Sequence, residues 1–277
     1  MMTLDFTPGD VSFRLGDTVA GLYRFNDEFK PHIHPLRTPR GHSVTSASPH
    51  DHKHHKALMY ALRAEDVNFW EETATLPTEV PGVERHVAFS EIISRGPTVG
   101  FTETLHWAAQ DGSLASFDET RRITCRHDTA ARAFVWTWQT TLTALRPLHL
   151  VQSQWSHGLE DGTKVNYHGL GIRFRRDFGG MTRNHELRVD DLVTTEKFQQ
   201  HMGARPKSVT FIGSLDETWP VERAGVTFQQ ASGQDNTLYI MEDYIPFMGL
   251  GPTNRAPLKL PAGGIIKEGY TVTVFDV

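Results

Sequence analysis

The chain has a single cysteine, Cys125, in 277 residues. An internal disulfide framework is therefore excluded, and a reducing compartment is the expectation. Long apolar runs are missing as well. No stretch approaches the ~20 apolar residues of a membrane-spanning helix. The opening Met-Met-Thr-Leu-Asp-Phe-Thr-Pro-Gly-Asp has neither the basic start nor the apolar centre of a secretory leader. These absences together predict a cytoplasmic protein. Positive charge is not in excess either. Twenty-eight Lys and Arg against 33 Asp and Glu leave a formal charge of −5, which argues against nucleic-acid binding by bulk electrostatics. There is no Gly-x-Gly-x-x-Gly, Walker loop, Gly-x-Ser-x-Gly elbow or His-Glu-x-x-His, so the commonest nucleotide, serine-hydrolase and zinc-protease frameworks do not apply. Repeats, low-complexity tracts, charge blocks and linkers are also missing, which predicts one domain over residues 1–277; all-β folds often reach ~200–250 residues as one unit.

What is present is alternation of period two. In Arg132-Ala-Phe-Val-Trp-Thr-Trp-Gln-Thr-Thr-Leu, Phe134, Trp136 and Trp138 share one face and Thr137 and Gln139 the other, the pattern of a half-buried strand. Val11–Leu15, the corner Gly16-Asp17 and Thr18–Tyr23 predict a hairpin. Further strands are expected at Thr98–Trp107, Leu114–Cys125, Leu148–Gln154, Gly169–Phe174, Ser208–Leu215, Gly225–Gln230, Thr237–Met241 and Tyr270–Phe275. Only Asp190–Met202 has a helical look, with an aspartate to cap it and Gly203 to end it. Many strands with one short helix predict an all-β fold, a large antiparallel β-sandwich. Two packed sheets of this size would leave a concave face suited to a small ligand.

Histidine is the residue in local excess. Seven of fifteen fall between His32 and His55, in Lys30-Pro-His-Ile-His-Pro-Leu-Arg-Thr-Pro-Arg-Gly and Pro49-His-Asp-His-Lys-His-His-Lys. Imidazole titrates near neutrality, moves protons and ligates metals, so this segment is the first candidate for chemistry. His32 and His34 are two apart, between prolines that favour extended backbone, and would project to one side. His52 and His55 would be joined by a turn but separated by a strand. Two or three of these rings with a carboxylate could hold a divalent metal, although the spacing matches no established metal signature. General acid–base work is the other chemistry open to them. If Thr98–Trp107 is a strand, Glu103 shares an apolar face with Phe101 and Leu105. It must then be paired, with Arg121 for example, or face a cavity. Gly169 and Gly171 thin their strand so that another backbone or a ligand can approach. Arg173 and Arg176 beyond them could fork onto substrate oxygens. Phe69-Trp70 and the other tryptophans read as core rather than as a stacking platform, although one aromatic beside the histidines would suit the apolar face of a sugar ring.

These blocks resemble a bacterial family of undetermined activity that carries the label "methane oxygenase PmoA-like". The resemblance rests on Lys30–Gly41, on Asp51-His-Lys-His-His-Lys followed by Asp66-Val-Asn-Phe-Trp, on Gly169-Leu-Gly-Ile-Arg173 with Arg176, and more weakly on Tyr244-Ile-Pro-Phe-Met-Gly and Leu258–Asp276. The oxygenase label itself conflicts with the sequence, since such subunits span membranes. What the resemblance implies is a galactose-mutarotase-like β-supersandwich associated with carbohydrate catabolism beside sugar oxidoreductases. It places His34, His52, His55, Lys56, Arg173 and Arg176 on motif positions. The stretch Asp190–Arg205 departs from the family pattern, as an insertion would, and His168 stands where a small or aromatic residue is expected.

The combined expectation is a carbohydrate-active enzyme, a lyase or hydrolase acting on a glycoside or keto-sugar rather than an epimerase. His52 and His55 would move the proton, with Glu103 as the opposing base. His34, Lys56, Arg173 and Arg176 would bind substrate, and no cofactor is required. One alternative is a non-catalytic sugar-binding or accessory subunit. Another is a metal-dependent hydrolase or oxygenase built on the His32–His55 cluster. The expected partners are a small sugar, a further copy of the chain or a sugar oxidoreductase, with neither nucleic acid nor membrane.

Overall fold

The protein was analysed as a computed structural model, which describes residues 1–179, 185–194 and 197–277. Two large sheets pack face to face. The nine-stranded sheet runs, edge to edge, through Thr237–Met241, Phe247–Gly251, Gly169–Arg173, Leu58–Ala61, His32–Leu36, Thr18–Arg24, Asp10–Leu15, Met2–Phe6 and Arg95–Gly96. The ten-stranded sheet runs through Leu192–Thr194, Glu186–Val189, Ser208–Leu215, Glu222–Gln230, Ile265–Asp276, Ala133–Ala144, Phe117–Asp128, Thr98–Ala109, Val80–Ile93 and Val67–Asn68. Pairing is antiparallel except between Val67–Asn68 and Val80–Ile93. The fold is thus the expected all-β supersandwich. The long strands with period-two patterning form as read, and Phe134, Trp136 and Trp138 all face the core. The Gly16-Asp17 hairpin also closes as expected.

Between the sheets lies a contiguous apolar core in which Phe13 meets Trp136 at 4.7 Å, Phe13 meets Phe101 at 5.9 Å and Phe174 meets Phe211 at 4.8 Å between ring centroids. Charge is threaded through it. Arg121 is fully buried, stacks 4.9 Å from the Trp138 ring and bonds Glu119 at 2.8 Å and Glu84 at 3.0 Å. A buried cation keeps its charge only with such partners.

One part of the molecule departs from the sequence expectation. Asp190–Met202 is not a helix. Asp190 and Asp191 both adopt left-handed backbone (φ 50° and 68°) and turn the chain between Glu186–Val189 and the strand Leu192–Thr194. Paired left-handed residues make the tight hairpin turn that matches strand twist. The Asp190 carboxylate accepts the backbone N–H groups of Lys207 (2.7 Å) and Ser208 (3.0 Å), so it ties a neighbouring strand instead of capping a helix. Val193 and Thr194 are β-branched and favour that strand. Helicity is confined to one 3₁₀ turn at Phe198–His201; Thr195 and Glu196 lie outside the described residues.

Four neighbouring strands of the nine-stranded sheet are buried on both faces. Leu58, Tyr60, Leu170, Ile172, Leu238, Ile240, Met248 and Leu250 point into the main core. The alternate residues Met59, Ala61, Tyr239 and Phe247 belong to a second apolar cluster on the outer face, with Trp70, Val165, Met202 and Ile245 from the covering loops. Across that outer face Tyr239, Gly249, Gly171 and Met59 stand in register. The two central glycines leave a trough. A Cβ on Gly171 would lie 2.5 Å from the Phe247 ring and 3.2 Å from Trp70, so the glycine is what lets both rings lie close against the sheet. Gly171→Ala should therefore cost about 1–3 kcal/mol through overpacking, seen as a lower urea midpoint with the slope unchanged. An unaltered midpoint would mean the rings are free to move.

Candidate functional site

The second cluster is the floor of a cavity of about 320 Å³ on the outer face of the nine-stranded sheet. That size suits a small ligand. Trp70, Tyr167, Tyr239 and Phe247 form a circuit of aromatic contacts with centroid separations of 5.3, 5.3, 6.1 and 6.0 Å. Trp155, more than half exposed, stands at the rim.

One wall is the histidine turn. Residues Pro49–His55 fold into two successive turns, His52 N–H donating to the Pro49 carbonyl and His55 N–H to the His52 carbonyl, each at 3.0 Å. The neck is clipped shut by Ser48 N–H on the His55 carbonyl at 2.7 Å. Ser48 and Ala57, on either side, take left-handed backbone (φ 49° and 62°), a strained choice for residues with a Cβ and typical of functional loops. The turn gathers His52, His54 and His55, whose ring centroids are 4.6–5.7 Å apart, and all three line the cavity with Asp51.

Two of the imidazoles, His54 and His55, are held neutral. His55 is buried, and desolvation pushes its pKa well below the ordinary value, aided by the neighbouring His54 and Arg173. Desolvation, then the charge of Lys30, lowers His54 to about 3. The geometry also fixes a tautomer. Arg173, fully buried, directs Nη1 at His55 Nδ1 across 3.3 Å. A guanidinium only donates, so Nδ1 must accept and the proton sits on Nε2. Asp51 tops this arrangement, 3.1 Å from Arg176 Nη2 and 3.9 Å from Arg173 Nη2, and against the effect of burial its own backbone N–H and then the two arginines hold its carboxyl below the usual range.

The facing wall carries an acid. Glu71 Oε1 accepts hydrogen bonds from the Tyr167 hydroxyl (2.8 Å) and the Ser153 hydroxyl (2.9 Å), and Tyr167 OH lies 2.6 Å from Ser153 Oγ. Glu71 Oε2 has no partner among the described residues. The loop that presents it is fixed from below. Asn68 Oδ1 accepts the backbone N–H groups of Trp70 (3.1 Å) and Glu71 (3.0 Å). Buried Lys30 donates to the carbonyls of Phe69 (3.1 Å) and Trp70 (2.6 Å) and pairs with Glu72 at 3.0 Å.

The sequence-derived candidates therefore divide. His52 and His55 come together in the cavity, as expected, and His54 joins them. Arg173 sits directly behind His55 and orients it without lining the cavity. Lys56 does not reach the cavity; its Nζ lies 3.5 Å from Asp27 and 3.7 Å from Glu72, so it bridges loops. His34 bonds Thr45 at 3.1 Å in a separate open groove, and Arg176 borders that groove while holding Asp51. His32 is buried against the Lys30 carbonyl, and His168 is buried beside Trp70. Glu103 is on the other sheet, fully buried in the core, with the Tyr23 hydroxyl on one oxygen and His86 Nδ1 at 2.6 Å from the other. It cannot oppose the histidines, because the nine-stranded sheet lies between them. The glutamate that shares the cavity with them is Glu71. The physical reason is that an acid on an apolar strand face can be satisfied by core partners as well as by a cavity.

Sequence reasoning missed Glu71, Trp70 as a floor residue, Tyr167, Tyr239 and Phe247. The signal available was Asn68-Phe-Trp-Glu-Glu, an Asx-type turn followed by an aromatic and two acids. Among the described residues no group of three or more His, Cys, Asp or Glu side chains is arranged to hold a metal ion.

His55 should show the Nε2–H neutral pattern in long-range ¹H–¹⁵N spectra at pH 7. Because burial lowers its pKa, it should stay neutral as the pH falls below the ordinary imidazole value of about 6.5. A charged His55 at pH 6, or an Nδ1–H tautomer, would contradict the Arg173 contact.

Known proteins offer limited company. No curated protein matches the sequence. Among solved structures the chain is similar to an alpha-galactosidase from Lactobacillus brevis, with 6% identity and a TM-score of 0.30, over 98% of this chain and 39% of that one. At that level the likeness bears on neither substrate nor reaction. The oxygenase-like label suggested by the motifs has no counterpart in these comparisons. Over residues 10–277 the sequence matches the model described as family of unknown function (DUF6807), and the chain belongs to that family.

Proposed function

We propose that the cavity is the catalytic site of a carbohydrate-active enzyme, a lyase that removes a proton beside the carbonyl of a keto-sugar. The observation that carries this reading is the opposition of a carboxylate with a free oxygen, Glu71 Oε2, to neutral imidazoles across one aromatic-floored cavity. A carboxylate base facing a neutral histidine that polarises a carbonyl is a known solution for enolate formation. Glu71 takes the proton from the carbon next to the ketone, and the electron pair moves to the carbonyl oxygen. There it is met by His55 Nε2–H, with the adjacent rings of His52 and His54 beside it, as an oxyanion site. Collapse of the enolate expels the oxygen substituent two carbons from the ketone carbon, and the proton on Glu71 returns to it, so the enzyme ends unchanged. The Tyr167 and Ser153 hydrogen bonds occupy Oε1 and leave Oε2 for this work. The aromatic floor supports an apolar sugar face.

Elimination is preferred here to hydrolysis because a glycosidase needs an acid poised near the working pH. Tyr167, whose hydroxyl lies in the cavity wall, has its pKa raised by burial and by Glu71. His54 and His55 carry no proton to give as acids.

A glycoside oxidised to a ring ketone should be cleaved at neutral pH to the free alcohol and an α,β-unsaturated ketone that has lost the hydrogen beside the carbonyl. Glu71→Gln should lower kcat/KM at least about 100-fold, and His55→Gln should lower kcat with little change in KM. Cleavage of the unoxidised glycoside at the same rate would replace this reading with hydrolysis. Binding without product would favour a sugar-binding module.

A further inference from the structure

We infer that the cavity selects an uncharged, hydroxyl-rich ring and turns away uronates and sugar phosphates, a substrate class that rests on its being a carbohydrate site. Two independent features carry this. The first is charge. Among the described residues the cavity is lined by two carboxylates, Asp51 and Glu71, and by no lysine or arginine. Every cation nearby is committed elsewhere. Lys30 is spent on Glu72 and two backbone carbonyls. Lys56 lies between Asp27 and Glu72. Arg173 is shielded by His55, and Arg176 pairs with Asp51 outside the cavity. Of the three rings that face the ligand, His54 and His55 are uncharged at neutral pH, and His52 Nδ1 lies 3.5 Å from the Asp51 carboxylate. An anion entering here would meet carboxylates and apolar rings with no lysine or arginine to receive it, the arrangement by which interfaces exclude wrong partners.

The second feature is unsatisfied hydrogen bonding. Trp70 and Glu71 both line the cavity and both are more than nine-tenths buried. Among the described residues Trp70 Nε1–H has no acceptor and Glu71 Oε2 has no donor. Buried groups of this kind are costly unless something completes them. One asks for an acceptor and the other for a donor. A hydroxyl supplies both, whereas a carboxylate or phosphate dianion supplies no donor for Glu71. A site built to bond a hydroxyl discriminates strongly against a ligand that cannot offer one at that place.

The test uses the unmodified protein and unreactive probes. Saturation-transfer NMR and calorimetry at pH 7 would compare methyl glucoside, methyl galactoside and methyl mannoside with the matching methyl uronates and 6-phosphates. At least one neutral glycoside should bind, and its anionic counterparts should bind at least about ten-fold more weakly. Trp155→Ala, at the exposed rim, should weaken the neutral ligand; Asp51→Asn should narrow the gap between neutral and anionic members. A uronate or phosphate binding as tightly as its neutral partner would overturn the inference, and so would failure of all three neutral glycosides to bind. Because the probes carry no ketone, turnover plays no part in the readout; neutral binding together with no cleavage of the oxidised glycoside would sink the lyase reading alone. Cleavage of an anionic keto-sugar would uphold that reading and sink this one.

Discussion

Everything at the candidate site follows from one constraint: half of the nine-stranded sheet is apolar on both faces. Its inner face packs on the ten-stranded sheet, and its outer face, with Met59, Ala61, Tyr239 and Phe247, cannot be left in water. An exposed apolar surface of that extent would invite association. The chain covers it with loops that carry the histidine turn, the Trp70–Glu71 segment, the Ser153–Tyr167 segment, Met202 and Ile245. The Phe247 and Trp70 rings lie against Gly171, the cover above them does not close completely, and the gap is the cavity. The site is thus a packing solution with polar groups placed at its seam.

Those groups arrive together because the loops are tied to each other. Glu72 receives Lys30 at 3.0 Å and lies 3.7 Å from Lys56. Lys56 immediately follows the histidine turn, and Glu72 immediately follows Glu71, so the two walls of the cavity share one ionic knot. Glu72 adopts left-handed backbone (φ 59°) to reach it. The desolvation that accompanies this tight cover is the same effect that keeps His54 and His55 neutral. Cavity shape, imidazole charge state and loop strain are therefore consequences of one burial event.

Much of the fold was legible in the sequence, and the site only in part. Period-two alternation in long strands such as Ala133–Ala144 reports a half-buried face directly. It misjudged Asp190–Met202, where two left-handed aspartates make a hairpin that composition does not distinguish from a helix cap. The clustering of His52, His54 and His55 was visible because those residues are local in sequence. The acid opposite them was not, because it depends on which distant loop crosses the sheet. Glu103 had the better pattern, an acid on an apolar strand face, yet Tyr23 and His86 satisfy it inside the core. Glycines 169 and 171 correctly signalled a close approach, by the backbone of Leu250 and Gly251 at Gly169 and by the rings of Phe247 and Trp70 at Gly171. Lys56 and Arg173 carried charges that suggested ligand contact, and each is instead spent on neighbouring side chains.

The most direct test of the account is a crystal structure of the protein soaked with a neutral monosaccharide glycoside. The account predicts a sugar in the cavity of about 320 Å³, seated over the aromatic floor, with hydroxyls within hydrogen-bond reach of Glu71 Oε2 and Trp70 Nε1 and an oxygen facing His55 Nε2. A sugar bound elsewhere on the molecule, or a cavity filled by the protein's own side chains with the histidine rings turned outward, would contradict it.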